Sequence, residues 1–303
     1  MLLRILSLWM LGVVCSWGII IADPTGASQY VPPSDDPGFY NVGTIVGQGT
    51  GVYIGNIGGQ HWVMTANHVG GGTFRNWQTG STYSMIAGTY RQLRNADNSL
   101  TDLGVFQISG DPGLPSLNIS ASTPTIGSSL VMVGAGRAQE TTLTSWNNSW
   151  VEGGNPATRF GYKYLSPANY PLAWGTNNLD STTTSSIGGL SVRTMRMDFD
   201  NPGSFGTANY EGMAATGDSG GAIFYKSAGG QWELAGLILA ISTLGGQPGQ
   251  TAVFGNATIA ADLSFYRSQI LTAVPEPSTY FSLVAGISVL LLVLRRRAKQ
   301  SGL

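Results

Sequence analysis

Three short stretches of this chain carry residues able to act on a carbonyl group. In Ala215-Thr216-Gly217-Asp218-Ser219-Gly220-Gly221-Ala222-Ile223-Phe224-Tyr225, Ser219 is wrapped in glycines, and the apolar run after it reads as a buried strand. The glycines let the backbone fold sharply enough to aim amide groups at one point. The amides of Gly217 and Ser219 would then bind the oxyanion that forms when the Ser219 oxygen attacks a carbonyl. Such a nucleophile needs a base, and the chain has only two histidines. His68 follows the apolar strand Trp62-Val63-Met64-Thr65-Ala66 and is the attractive choice, whereas His61 precedes that strand at a Gly-rich turn and suits a surface. Asp102, in Ser99-Leu100-Thr101-Asp102-Leu103-Gly104-Val105-Phe106, stands at a strand start. A carboxylate there can accept the Nδ1–H of His68 and leave Nε2 free to take the Ser219 proton. Taken singly, each residue also suits a plainer role: a tight turn, a core histidine bonded to a carbonyl, an aspartate closing a turn. Asp97 fits that last role better than Asp102 does.

The elements that would have to position these residues are short apolar strands punctuated by glycine. VGTIVG, GTGVYIGN, HWVMTANHV, DLGVFQIS, SSLVMVGAG, RTMRMDF, GGAIFY, WELAGLILAIS and TAVFGN follow one another without intervening amphipathic helices. That pattern predicts an all-β sandwich or barrel. One helix is expected near the end, from Ile259 to Leu271, with Leu263, Tyr266 and Ile270 on one face. Trp146 to Gly189, rich in Gly and Ser, reads as long surface loops. With 303 residues, 42% of them hydrophobic, the chain can bury one large β domain or two modest ones.

Charged residues make up only 10%, against about a quarter in an average domain, and no basic patch lies between the two ends. This composition suits an exported, loop-rich β protein and argues against nucleic-acid binding. The one cysteine, Cys15, lies in the first hydrophobic segment, so the folded part is expected to hold neither a disulfide nor a cysteine metal site. Two histidines also leave no basis for a histidine-rich metal site.

Together the motifs resemble those of the chymotrypsin-like (trypsin-like) serine proteases. TANHV resembles their histidine motif, DLGVF their aspartate motif and GDSGGA their serine motif, in the same order. SSLVMVGAG also looks like the first strand of that fold's second barrel. The resemblance runs from about Asn41 to Leu271. It implies two six-stranded antiparallel β-barrels, 41–122 and 123–272, with the C-terminal helix closing the second. His68 and Asp102 would come from the first barrel and Ser219 from the second, with no cofactor. Gly217-x-Ser219-x-Gly221 matches the nucleophile elbow of α/β-hydrolases too, but that fold needs a histidine after the serine, and none follows residue 68. No activation sequence of the animal enzymes is present, which leaves the partner of Asp218 open. By the same alignment Met213 stands where trypsin has an aspartate, and the pocket wall should come from Gly236 to Gly245. Leu239 or Ile241 would narrow the pocket, or a register shifted by three would put Ser242 at its mouth. Apolar P1 residues are therefore expected over Arg or Lys.

Both ends read as addresses. Met1 to Ala22, with Arg4 and an apolar run from Ile5 to Ile21, reads as a secretory signal peptide removed after Ala22, with a polar leader over 23–40. Over 273–303, Pro275-Glu276-Pro277, the apolar stretch Tyr280 to Leu294 and the cluster Arg295-Arg296-Arg297 resemble the PEP-CTERM sorting signal of Gram-negative-type bacteria. The apolar stretch is about 22 Å long as a helix, short of a bilayer core of about 30 Å. The resemblance implies transient membrane contact and removal by an exosortase-type peptidase. A plain tail anchor is the alternative. The whole reading is an exported serine endopeptidase with a polypeptide substrate, at the cell envelope or outside it. The alternatives are an idle surface-binding module on the same fold and an esterase.

Overall fold

The computed structural model describes residues 18–165 and 172–273. It begins with β1 (Ile20–Asp23), followed by an extended stretch that ends in the 3-10 turn Phe39–Asn41. The first sheet then comprises β2 (Val42–Ile45), β3 (Gly49–Ile57), β4 (Gln60–Ala66), β5 (Phe74–Arg75), β6 (Thr82–Tyr83), β7 (Arg91–Arg94) and β8 (Leu100–Ile108). Their spatial order is β6-β5-β2-β3-β4-β8-β7, all antiparallel. A bridge from Met85 to Ile108 brings the chain after β6 back against β8, so the sheet curls on itself. Trp62 to Ala66 of β4 is buried on both faces, which explains why it is a continuous apolar run rather than an alternating one.

The second unit contains β9 (Ser129–Gly134), β10 (Thr144–Trp146), β11 (Arg159–Lys163), β12 (Ala173–Asn178), β13 (Ser181–Ile187), β14 (Leu190–Asp198), β15 (Asn209–Met213), β16 (Ala222–Lys226), β17 (Trp232–Ser242), β18 (Thr251–Val253) and β19 (Ala257–Asp262). Nine strands form a sheet in the order β1-β15-β12-β9-β16-β17-β19-β14-β13, and β10-β11-β18 form a smaller one. The helix α1 (Leu263–Ala273) closes the described chain. One apolar cluster runs through both units, joining Val52, Trp62 and Phe106 of the first to Val133, Phe224 and Leu237 of the second.

The all-β class with a C-terminal helix is what the structure has, but several details differ from expectation. The sheets have seven strands and nine, with three more beside them, rather than six and six. Residues 146–189 hold β11, β12 and β13 instead of only loops. β13 reads STTTSSI and pairs only with β14 at the sheet edge, so it needs no apolar face and gives no apolar signal. The helix starts at Leu263, because Ala257–Asp262 pairs with both β14 and β17; its buried face is Leu263, Tyr266 and Ile270 as expected.

The expected cut after Ala22 falls inside a structural strand. Ile19, Ile20, Ile21 and Ala22 are wholly buried, and β1 pairs with β15 through Ile20–Met213 and Ile21–Gly212. The Gln139 side chain accepts from the Ile21 amide at 2.9 Å and donates to its carbonyl at 2.7 Å, and Tyr162 donates to the Ala22 carbonyl at 2.8 Å. The end of the apolar run Ile5 to Ile21 is therefore core. Cys15, the Pro275-Glu276-Pro277 motif, Tyr280 to Leu294 and the arginine cluster lie outside the described residues. Among the described residues no helix is long and apolar enough to cross a membrane.

Candidate active site

The first sheet delivers His68 and Asp102 as one hydrogen-bonded pair. β4 and β8 are antiparallel neighbours, with Ala66 opposite Leu103, so the turn after β4 meets the start of β8. Asp102 is buried there, 1% exposed. Its Oδ1 accepts the His68 backbone amide at 2.8 Å and its Oδ2 lies 2.7 Å from His68 Nδ1. Two bonds from one carboxylate fix both the backbone and the ring of His68. The Asp102 hydrogen bond raises the His68 pKa above its ordinary value, partly opposed by burial. The imidazole side chain remains 46% exposed. His61 is at the other end of β4, bonded to the Tyr53 hydroxyl at 2.9 Å, and takes no part.

The second unit shapes the nucleophile loop through its backbone. In a trans peptide the N–H and C=O point in opposite directions. The Thr216 carbonyl accepts the Arg137 amide at 3.0 Å, and the Asp218 carbonyl accepts the Gly221 amide at 2.7 Å. Each bond turns the following N–H, that of Gly217 and of Ser219, the other way. Neither amide has a protein acceptor among the described residues. These are the donors expected of an oxyanion hole. The Ser219 hydroxyl, half-buried, is directed at the Leu239 carbonyl at 3.5 Å, the long limit of a hydrogen bond. No hydrogen bond joins it to His68 among the described residues.

Several residues that hold this loop gave no sequence signal. Thr50, buried on β3, donates to the Gly217 carbonyl at 2.8 Å, accepts the Ala135 amide at 3.2 Å, and its own amide donates to the Ser219 carbonyl at 2.9 Å. Thr65 of β4 donates to the Thr50 carbonyl at 2.7 Å. This chain of bonds ties the nucleophile loop to the sheet that carries His68. Gly220 has φ +87°, and a Cβ there would lie 2.1 Å from the Thr50 carbonyl oxygen, so no other residue fits. Asp218 turns inward and is fully buried; its two oxygens accept the amides of Gly136 at 2.6 Å and Ala215 at 2.7 Å. A Cβ at Gly136 would fall 2.6 Å from that carboxylate. Burial pushes the Asp218 pKa up to about 7, the amide bonds acting against it. Thus the partners of Asp218 among the described residues are backbone amides.

Behind Ser219 lies a cavity of about 180 Å³ lined by Ala215, Thr216, Gly217, Ser219, Ile238, Ala240 and Ile241. Of the residues the sequence suggested for a pocket, Ile241 lines this cavity and Met213 and Leu239 do not. Met213 packs with Ile20, Tyr162 and Phe199 in a core cluster, and Leu239 is buried in the shared core. The register of β17 against β19 shifts between Ile238 and Ala240, so a regular alternation counted through Leu239 does not hold there. The Met213 miss arises because β15 ends there and the wall begins at Ala215. Ser242 is not on the wall either.

No family model and no curated protein matches this sequence. Solved structures do. The chain is similar to the inactive form of Rv3671c from M. tuberculosis, a serine-to-alanine mutant, with 14% identity over 82% of this chain and 95% of that one, at a TM-score of 0.47. It is similar to the HtrA-type protease AlgW solved with a decapeptide, with 16% identity over 76% of this chain and 52% of that one, TM-score 0.44. It is also similar to neuropsin, a serine protease of mouse brain, with 14% identity over 82% and 98%, TM-score 0.49. These likenesses are of fold, and they assign no chemistry to this chain.

Proposed function

We propose that this chain is a serine endopeptidase. The observation that carries the reading is His68, held through both its amide and Nδ1 by the buried Asp102, which leaves Nε2 as the ring nitrogen the carboxylate does not engage. His68 Nε2 takes the Ser219 proton as Oγ bonds to the scissile carbonyl carbon. The carbonyl oxygen gains the negative charge and is bound by the Gly217 and Ser219 amides. The C–N bond then breaks, His68 returns the proton to the leaving nitrogen, and water hydrolyses the acyl-enzyme by the same route. The uncharged cavity of about 180 Å³ supports small or medium apolar P1 residues.

One observation suits an idle binding module instead: the Ser219 hydroxyl is directed at Leu239 rather than at His68. Labelling by a serine-reactive fluorophosphonate separates the readings. Wild-type protein that labels while Ser219→Ala does not supports the endopeptidase, and equal failure of both supports the idle module. Paired peptide and ester substrates distinguish an esterase.

The chain is exported to the cell envelope or beyond, and an exosortase-type peptidase removes the tail near Pro277. The export signal ends upstream of Ile19. Exposing the Ile19 to Ile21 side chains would cost roughly 5 kcal/mol or more, comparable with the whole net stability of a domain. Intact-mass measurement on protein from the native envelope tests both ends. A species beginning at Asp23, or one retaining Tyr280 to Leu303, refutes the corresponding part.

A further inference from the structure

Gly217 lines a second, larger cavity on its other side, of about 440 Å³. Gln48 of the β2–β3 turn, Gly49 at the start of β3, Arg75, Trp77 and Arg137 share its wall, and no aspartate or glutamate does. Arg75 is exposed and packs over the Trp77 ring at 5.7 Å. Arg137 is half-buried, and its backbone amide is the group that anchors Thr216 at the oxyanion loop. Neither guanidinium has an ion pair among the described residues. In a chain where only 10% of residues are charged, two unpaired arginines in one cleft are an unusual concentration of positive charge.

A scissile carbonyl carbon carries three groups in one plane: its oxygen, the P1 Cα and the leaving nitrogen. With the oxygen on the Gly217 and Ser219 amides and P1 in the small cavity, the nitrogen departs on the opposite side of Gly217, toward Arg75 and Arg137. We propose that this cavity binds a carboxylate carried by the leaving-group half of the substrate, with Arg75 and Arg137 as its specificity determinants. The inference rests on the endopeptidase reading for its place in the reaction, but the carboxylate site itself does not. Guanidinium donors form charge-assisted hydrogen bonds to a carboxylate, and the Trp77 face limits the freedom of Arg75. The carboxylate is either an Asp or Glu side chain just after the cut or a free C terminus.

Binding is measured first on full-length Ser219→Ala protein, by fluorescence anisotropy with short labelled peptides. One peptide has an internal Glu and an amidated end, one a Gln and a free acid, and one a Gln and an amidated end. At low salt, either carboxylate peptide is expected to bind about tenfold more tightly than the neutral one. That ratio should fall toward one with added salt, and in Arg75→Gln and Arg137→Gln taken separately. The first two peptides identify which carboxylate is read. Quenched substrates with Glu or Gln after the scissile bond should show the same ratio in kcat/KM in wild-type enzyme. Equal binding of all three peptides at low salt overturns the site, whatever the catalytic outcome. Carboxylate-selective binding with no fluorophosphonate labelling of the wild type keeps the site and overturns the endopeptidase.

Discussion

The two sides of the cleft are built by different means. On the first sheet, side chains do the positioning: one buried carboxylate holds the amide and the ring of His68, 2.8 and 2.7 Å away. On the second, the backbone does it: Thr216 and Asp218 carbonyls are tied to Arg137 and Gly221, and the amides of Gly217 and Ser219 are left without a protein acceptor among the described residues. The His68–Asp102 pair is complete within one sheet, while the loop that carries Ser219 depends on Thr50 and Thr65 reaching across from the other sheet. A side-chain pair can be recognised from two residue types and their strands. A backbone constellation depends on partners far away in sequence, so its stability and its chemistry are coupled to the packing of the two units.

The contrast can be broken from either side. If Ser219 is the nucleophile, Ser219→Ala should lower kcat by about 10⁶-fold in a peptide assay. On the base side, Asp102→Asn should cost about 10⁴-fold with little loss of fold, because the ring loses the tautomer that leaves Nε2 free. On the loop side, Asp218→Ala removes the acceptor of the Gly136 and Ala215 amides and lets the oxyanion amides drift. A fall in kcat of about 10²–10³-fold with KM little changed is expected, the size of losing an oxyanion donor.

Thr50→Val is the sharper test of coupling, since it keeps shape but loses the hydroxyl that bonds Gly217 and Ala135. It should cost about 1–3 kcal/mol in denaturant unfolding and slow kcat by about tenfold. A stability loss with kcat unaltered would show that the loop holds its shape without the first sheet.

The smallest effect expected is in pH dependence. The Asp102 bond raises the His68 pKa, and the base must be neutral, so kcat/KM should fall as pH drops through a value above 6.5. Asp102→Asn should move that limb to lower pH. Stability carries the opposite sign. A pKa raised on folding contributes stability that is present below the unfolded value and is lost as pH rises through the folded one. Asp218, with a pKa raised to about 7, acts in the same direction between its ordinary value and that pH. Acidification should thus cost activity before it costs fold, which parallel rate and unfolding measurements would check.

Much of this molecule is legible in its residues taken in order. Glycine-punctuated apolar runs specify buried strands through local sterics and the period of the pleat, and Ser219, His68 and Asp102 stand in local contexts that mark them. The glycine beside Ser219 also follows from chemistry, because a backbone that must turn there tolerates no Cβ. Other features are decided only by tertiary contact. Ile20 and Ile21, the end of an apolar run in sequence, are strand residues because Met213 and Gly212 lie beside them. STTTSSI becomes a strand because β14 offers it an edge. Met213 is core rather than pocket because β15 ends there and lies against β1. The physical reason is common to all three: hydrophobicity and propensity are properties of a residue and its near neighbours, whereas which face is covered, and which amide is left unpaired, depends on strands many residues away.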